Sequence, residues 1–247
     1  MDEEVYQFWV NSVKKIRGWD FSSIGDRMST EPLDWSYTSE ILFPLSLVNS
    51  VLDIDTGGGE FLSDLPLPDY TTALESWQPN VDIAKNRLEP LGVDVIYHPD
   101  ATEKLPFADD SFQLIICRHG RYNPSEVYRV LEDDGYFITQ QVGYQDQQEL
   151  NQLLLYETDD IQIWDEQTAV EELRDVGFEI LRSKQTKAET RFYDIGALIF
   201  YLNAVSWQIP DFSPDRYERQ LRTIHDIINQ KGWISSFAHR FFISATK

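Results

Sequence analysis

With 247 residues, 42% of them hydrophobic and 13% aromatic, the chain can build one large α/β domain with or without an insertion, and disorder throughout is excluded. A formal net charge of −21 argues against nucleic-acid partners, whose phosphates call for cationic side chains. The single cysteine, Cys117, excludes a disulfide framework or a cysteine zinc site and points to a reducing, cytoplasmic setting.

The chain starts Met1-Asp2-Glu3-Glu4, the opposite of a basic leader, and no apolar run approaches the roughly 20 residues that span a bilayer. Residues 4–17 place Val5, Phe8, Trp9, Val13 and Ile16 at helical spacing, which predicts an amphipathic helix. Gly18 to Leu42 is rich in turn formers and aromatics, among them Trp19, Trp35 and Tyr37. Then Ser50 to Ile54 reads as a buried strand with an acid, Asp53, inside it. Asp55-Thr56-Gly57-Gly58-Gly59 is a glycine-rich turn into a helix at Glu60. Glycine permits positive φ and close approach of a ligand to the backbone, though a plain tight turn would use the same residues.

Tyr70 to Glu75 reads as a second strand ending in an acid, at an offset where a carboxylate can accept from a ribose diol. A helix (Val81 to Leu91), a strand (Val93 to Tyr97) and the turn Pro99-Asp100-Ala101 follow. Leu105-Pro106-Phe107 leads through Asp109, Ser111 and Phe112 into the strand Gln113 to Cys117. The helix Pro124 to Leu131 has Asn123-Pro124 as its start and stops at Asp133-Asp134-Gly135. The strand Tyr136 to Thr139 runs on to Gln140 and Gln141. Residues 144–165 are polar, aromatic and irregular, as an insertion would be.

Further on, the pattern predicts a helix from Thr168 to Val176, a strand from Phe178 to Ser183 and an apolar cap helix from Tyr193 to Leu202. Ser213-Pro214 opens a helix running to Gln230. Phe241 to Ala245 is the last strand. Residues 1–181 hold 11 Lys+Arg against 36 Asp+Glu, whereas 182–247 hold 10 against 6. Arg216, Arg219 and Arg222 would form a basic stripe, either pairing with the acidic body or docking an anionic substrate. The four histidines show no ligand spacing, so no metal site is expected.

This order resembles the class I S-adenosylmethionine-dependent methyltransferases, in particular the type 11 group that includes the ubiquinone/menaquinone-biosynthesis enzymes. The resemblance rests on Asp53 and the glycines, Glu75 after strand two, Asp100-Ala101 with Leu105-Pro106-Phe107, and Arg129-Val130-Leu131 before Gly135-Tyr136-Phe137. It covers about residues 48–143. The family has glycine where this chain has Asp55. What the resemblance implies is a Rossmann-like, doubly wound, mostly parallel sheet of seven strands with an antiparallel last strand. A helical lid would occupy 1–45 and the S-adenosylmethionine-binding domain 46–247, with cap insertions around 144–165 and 190–215.

The resemblance also implies the site. Asp53 would help hold the cofactor's amino group, with Asp55, Gly57 and Gly59 passing beside its methionyl and ribose portions. Glu75 would hold the ribose hydroxyls, and Ser76 or Trp77 would cover the adenine. Asp100 and the Ala101 amide would meet the adenine edge. Arg118 lies where cofactor and substrate meet, His119 is the candidate base, and Tyr37, Gln140 and Gln141 would face the acceptor. Transfer from a sulfonium needs mainly alignment and exclusion of water, so a base matters only if the acceptor must lose a proton. The expected enzyme is a monomer or homodimer acting on a small-molecule acceptor. RNA methylation, a non-catalytic cofactor-binding protein and a nicotinamide oxidoreductase are the alternatives.

Overall fold

The computed structural model describes residues 3–12, 21–157 and 162–247. In chain order its first elements are α1 (Glu3–Ser12), β1 (Met28–Thr30), α2 (Tyr37–Leu45), β2 (Ser50–Ile54), α3 (Glu60–Ser63), β3 (Tyr70–Glu75), α4 (Gln78–Leu88) and β4 (Asp94–Tyr97). There follow β5 (Phe112–Arg118), α5 (Pro124–Val130), β6 (Leu131–Val142), α6 (Gln148–Leu153), α7 (Glu166–Asp175), β7 (Glu179–Phe192), α8 (Ile195–Ala204), α9 (Glu218–Lys231) and β8 (Ile234–Thr246). The expected continuation of α1 through Val13 and Ile16, and Trp19 beyond it, lie outside the described residues.

The chain divides into two compact units. The larger takes residues 34–143, 163–186 and 240–247; the smaller takes its described residues from 1–33, 144–162 and 187–239. In the larger unit β2 pairs in parallel with both β3 and β5, β3 with β4, and β5 with β6, while β8 runs antiparallel to β6. Strands sandwiched in this way bury both faces, which is why β2 reads as a near-continuous apolar run. Val51, Leu52 and Ile54 are fully buried, and Leu52, Leu74, Ile115, Phe137, Phe241 and Ile243 share one core. Each such side chain contributes roughly 1.5–3 kcal/mol by leaving water. Helix starts follow their caps: Asn123 Oδ1 accepts from the Ser125 amide (2.9 Å) with Pro124 opening α5, and Asp165 Oδ1 accepts from the Thr168 amide (3.1 Å) at α7.

In the smaller unit, β1 pairs antiparallel with the end of β7, from Met28 opposite Phe192 to Thr30 opposite Thr190. Its core gathers Tyr6, Leu150, Phe192, Leu198, Leu221 and Ile228. Asp194 caps α8 by accepting from the Ala197 amide (2.9 Å) and takes the Arg27 guanidinium at 2.6 Å.

The sheet order is β1-β7-β8-β6-β5-β2-β3-β4, eight strands among the described residues where seven were expected. The extra strand, β1, is three residues long inside a turn-rich stretch, too short for alternation to show. β7 extends past Ser183 to Phe192 through a polar run, and β8 begins at Ile234 instead of Phe241. α9 starts at Glu218, four residues after Pro214. Ser213 caps a separate turn, its Oγ accepting from the Arg216 amide at 3.3 Å. Among the described residues no helix is long and apolar enough to cross a membrane.

Two of the motifs that carry the family resemblance are joined in a clamp. The Arg129 guanidinium donates to the carbonyls of Leu105 (3.1 Å) and Phe107 (2.9 Å), to Asp109 (2.8 Å) and to Glu126 (2.6 Å). Glu126 in turn accepts from the Leu105 amide (2.8 Å). This fixes the path into β5. Arg129→Ala is expected to destabilise the fold by about 2–4 kcal/mol in urea unfolding, because it strands Glu126 and two carbonyls at once. A loss below about 0.5 kcal/mol would mean that the segment holds its path without the clamp.

Candidate active site

The register brings the carboxyl ends of four strands level. Ile54 lies opposite both Leu74 and Cys117, Glu75 opposite Tyr97, and Arg118 opposite Gln140. Asp55, one residue past Ile54, therefore emerges between Glu75 and Arg118. The backbone turns left-handed here, with φ 56° at Asp55, 67° at Gly57 and 78° at Gly59. Aspartate is among the few non-glycine residues that tolerate this region, so the turn keeps its path without the family's glycine. A Cβ at Gly57 would meet no atom within 4 Å, leaving room beside the backbone, whereas one at Gly59 would lie 2.7 Å from Leu88 of α4. Glycine at 59 is needed for packing; glycine at 57 leaves open space.

Glu75 is buried and fastens the turn to its own strand. Oε2 accepts from the Gly57 amide (2.7 Å) and Oε1 from the Trp77 amide (2.8 Å). Burial raises its pKa and the Asp55 carboxylate adds to this, while the two amides and Asn80 act the other way. With the two amides and Asn80 accepted, the carboxylate keeps capacity for a further hydroxyl donor.

Asp53 is almost fully buried, and burial pushes its carboxyl up to about 7. The Thr56 hydroxyl and Arg118 oppose the rise, while Asp55 and Glu75 add to it. Thr56 Oγ1 reaches no partner with full hydrogen-bond geometry, and neither does Asp55 Oδ1, although both atoms are buried. Asp55 Oδ2 accepts from the Arg121 amide at 3.0 Å. Orphaned acceptors of this kind are rare in folded proteins and mark places where a partner belongs.

Tyr37, at the start of α2, is buried with its ring 5.3 Å from that of Phe61, and its hydroxyl donates to the Ile138 carbonyl (3.1 Å). Arg118 lies over the other aromatic of this wall, its guanidinium 5.0 Å from the Phe61 ring. A polar chain runs beside them. The Trp35 indole donates to Gln140 Oε1 (2.8 Å), which turns the Gln140 amide nitrogen toward His119 Nε2 (3.1 Å). Nε2 is then the acceptor and Nδ1 carries the proton. Burial lowers the His119 pKa, with the Arg240 and Arg118 charges adding to the effect. The ring is therefore neutral at pH 7.

The other named residues are placed apart from that group. Gln141 is buried on the opposite face of β6, where its amide donates to Thr139 Oγ1 (2.8 Å) and meets Cys117 Sγ at 3.5 Å. Asp100 Oδ1 accepts from both the amide (2.9 Å) and hydroxyl (2.6 Å) of Thr102, and Ala101 is buried beside it. Their loop is tied to β3 by the His98 amide donating to the Glu75 carbonyl at 3.0 Å. Ser76 is half-buried, and Trp77 is 50% exposed, free to stack on a ligand. The structure thus gathers Asp53, Asp55, Gly57, Glu75, Arg118 and Tyr37 at one edge and joins Gln140 to His119. It leaves Gln141 in the core.

Sequence reading passed over Thr56, Phe61 and the Gly120-Arg121 backbone. Phe61 sits one residue into the helix after the glycines, so it was within reach of a motif argument; Gly120 carried no such signal. A cleft of about 400 Å³ lies elsewhere, at the amino ends of β2, β3 and β5, lined by Asn49, Asp69, Tyr70 and Gln113. It is remote from the turn and is no part of this site. Among the described residues no group of three or more His, Cys, Asp or Glu side chains is arranged to hold a metal ion.

Comparison with known proteins matches a stretch that contains the glycine turn. Residues 52–139 match the family described as methyltransferase domain. An uncharacterised methyltransferase of Bacillus subtilis (strain 168), YcgJ, is 34% identical over 97 residues, 36% of this chain and 38% of that protein. The match therefore spans well under half of this curated relative. Among solved structures, a candidate methyltransferase of Bacillus halodurans C-125 superposes with a TM-score of 0.60 at 18% identity, over 85% of this chain and 98% of that one. The structure of YcgJ itself gives 0.57 at 18% identity, over 85% and 97%. A functionally unknown protein of Deinococcus radiodurans R1 gives 0.59 at 14% identity, over 99% of both chains. Residues 52–139 are thus similar to a methyltransferase domain, and the chain shares the fold of these methyltransferase structures.

Proposed function

We propose that the chain transfers the methyl group of S-adenosylmethionine to a small-molecule acceptor. The observation that carries this is the junction of β2 and β3. There a buried carboxylate is held by two amides beside a turn with free space and a buried Asp55 oxygen that has no hydrogen-bond partner. Glu75 would accept from the ribose hydroxyls, Asp53 and Asp55 would face the positive methionyl end, and Trp77 with the Asp100-Ala101 loop would hold the adenine. When bound, the cofactor supplies an activated methyl on a positively charged sulfur. The protein's part is to orient both reactants and keep water out. A net charge of −21 favours a small acceptor over RNA.

His119 serves in this reading as a donor. Its Nε2 lone pair is taken by Gln140, and Nδ1–H is left to orient an acceptor oxygen or nitrogen. His119→Ala is expected to raise KM several-fold while kcat changes by less than about threefold and keeps its flat profile between about pH 6 and 9. A fall in kcat of about a hundredfold or more, with loss of an ionisation in the wild-type profile, would instead make His119 the base.

The function itself is tested by incubating the chain with S-adenosylmethionine and a panel of phenols, amines, thiols and carboxylic acids and measuring S-adenosylhomocysteine. Both sulfur compounds are expected to raise the melting temperature by mass action, and NAD to leave it unchanged. Absence of binding by calorimetry to folded protein would remove the proposal. Binding without turnover on any acceptor class would favour a cofactor-binding protein.

A further inference from the structure

Asp55 occupies the row between Glu75 on β3 and Arg118 on β5, and the chain's own geometry gives it two jobs. One oxygen is structural: Oδ2 accepts from the Arg121 amide at 3.0 Å and braces the turn against the loop after β5. The other, Oδ1, is buried without a hydrogen-bond partner. A neutral acceptor left in that state is unfavourable, and a charged one more so. A cationic ligand would relieve it, and Arg118, the nearest strand-end cation, is directed over the Phe61 ring.

A ligand whose ribose is held by Glu75 and which reaches toward Arg118 must cross the end of β2, and Asp55 stands at that crossing. We infer that Asp55 is a charge-selecting residue: its free oxygen favours the sulfonium of S-adenosylmethionine over the neutral thioether of the product, S-adenosylhomocysteine. This rests on the proposed function and deepens it. A glycine at this position offers only backbone, which cannot distinguish the two ligands by charge. Aspartate adds a full negative charge without altering the left-handed turn, since its φ of 56° is one that aspartate accepts. The benefit is release of the used cofactor: the product has lost the charge that the carboxylate holds.

The test is calorimetry on the whole chain with S-adenosylmethionine and S-adenosylhomocysteine separately. It compares wild type with Asp55→Asn, which keeps the backbone conformation and the Oδ2 acceptor, and Asp55→Gly, which restores the family residue. Both variants are expected to weaken S-adenosylmethionine binding about tenfold, the scale of one partly screened charge pair, and to change S-adenosylhomocysteine binding by less than about twofold. Equal weakening of both ligands would place the Asp55 charge at the shared ammonium and overturn the inference. Failure of wild type to bind either ligand would remove the proposed function, and this inference with it. Tight wild-type binding of both ligands, with their affinity ratio unaltered in the two variants, would overturn the inference alone.

Discussion

Glu75→Ala is expected to weaken S-adenosylmethionine binding by about 1.5–3 kcal/mol, and also to cost stability in the free protein. The second effect follows from the structure. Glu75 is the acceptor for the Gly57 and Trp77 amides, so removing it leaves two amides at the turn without partners. At about 1–3 kcal/mol for each buried donor left unmade, the loss is a sizeable share of the margin of a typical domain. Glu75→Gln separates the two roles. Its single carbonyl oxygen can keep one amide, and its NH₂ would face the other donor, so stability should fall less while ribose binding still suffers. Urea unfolding gives the stability of each variant and calorimetry the dissociation constants. An unchanged dissociation constant in folded Glu75→Ala would put the ribose elsewhere.

The second large effect is a pH dependence centred on Asp53. Burial lifts its carboxyl to about 7, well above the range of about 4 expected in the unfolded chain. The folded state therefore holds the proton more tightly than the unfolded state. The favourable contribution is full below about pH 4, is lost as pH rises through the window up to about 7, and is constant above it. At about 1.4 kcal/mol per pH unit the span reaches roughly 4 kcal/mol as an upper bound. Carboxylates held low by partners, such as Glu126 beside Arg129, work in the opposite direction. The difference between wild type and Asp53→Asn isolates the residue. That difference should shift by several kcal/mol in favour of the variant between about pH 4 and pH 7. Cofactor affinity should run the other way, falling in wild type by up to about tenfold per pH unit below about 7, because a protonated Asp53 no longer attracts the ammonium. A wild-type minus variant stability difference that stays flat from about pH 4 to 8 would show that Asp53 ionises normally.

What could be read from the residues alone follows the range of the forces involved. β2, β3 and β5 were legible because buried parallel strands must be apolar along their length and the turns between them must carry glycine or a cap. Their ends, and so the level row of Ile54, Glu75 and Arg118, followed nearly residue for residue. β1 was not legible, since three residues carry no period, and the added length of β7 and β8 lies in polar stretches that pairing alone makes into strand. Gln140 and Gln141 show a sharper limit. Adjacent residues of a strand face opposite ways, and the sequence says which two alternate but not which one meets Trp35, more than a hundred residues away. Asp55 was legible as a departure from a pattern, whereas its left-handed backbone and its grip on Arg121 needed the fold.

That grip also couples two positions in the chain's history. A Cβ added at Gly120 would lie 2.4 Å from the Asp55 Cβ, and its three nearest neighbours all belong to Asp55. Any side chain at 120 is thus barred while position 55 carries one. If Asp55 is replaced by glycine, the space opens and alanine at 120 becomes admissible. The order of substitution then matters: Asp55→Gly can be followed by Gly120→Ala, but the reverse path passes through a clash. Once alanine is fixed at 120, aspartate at 55 cannot return, so the pair acts as a ratchet between two versions of the same turn.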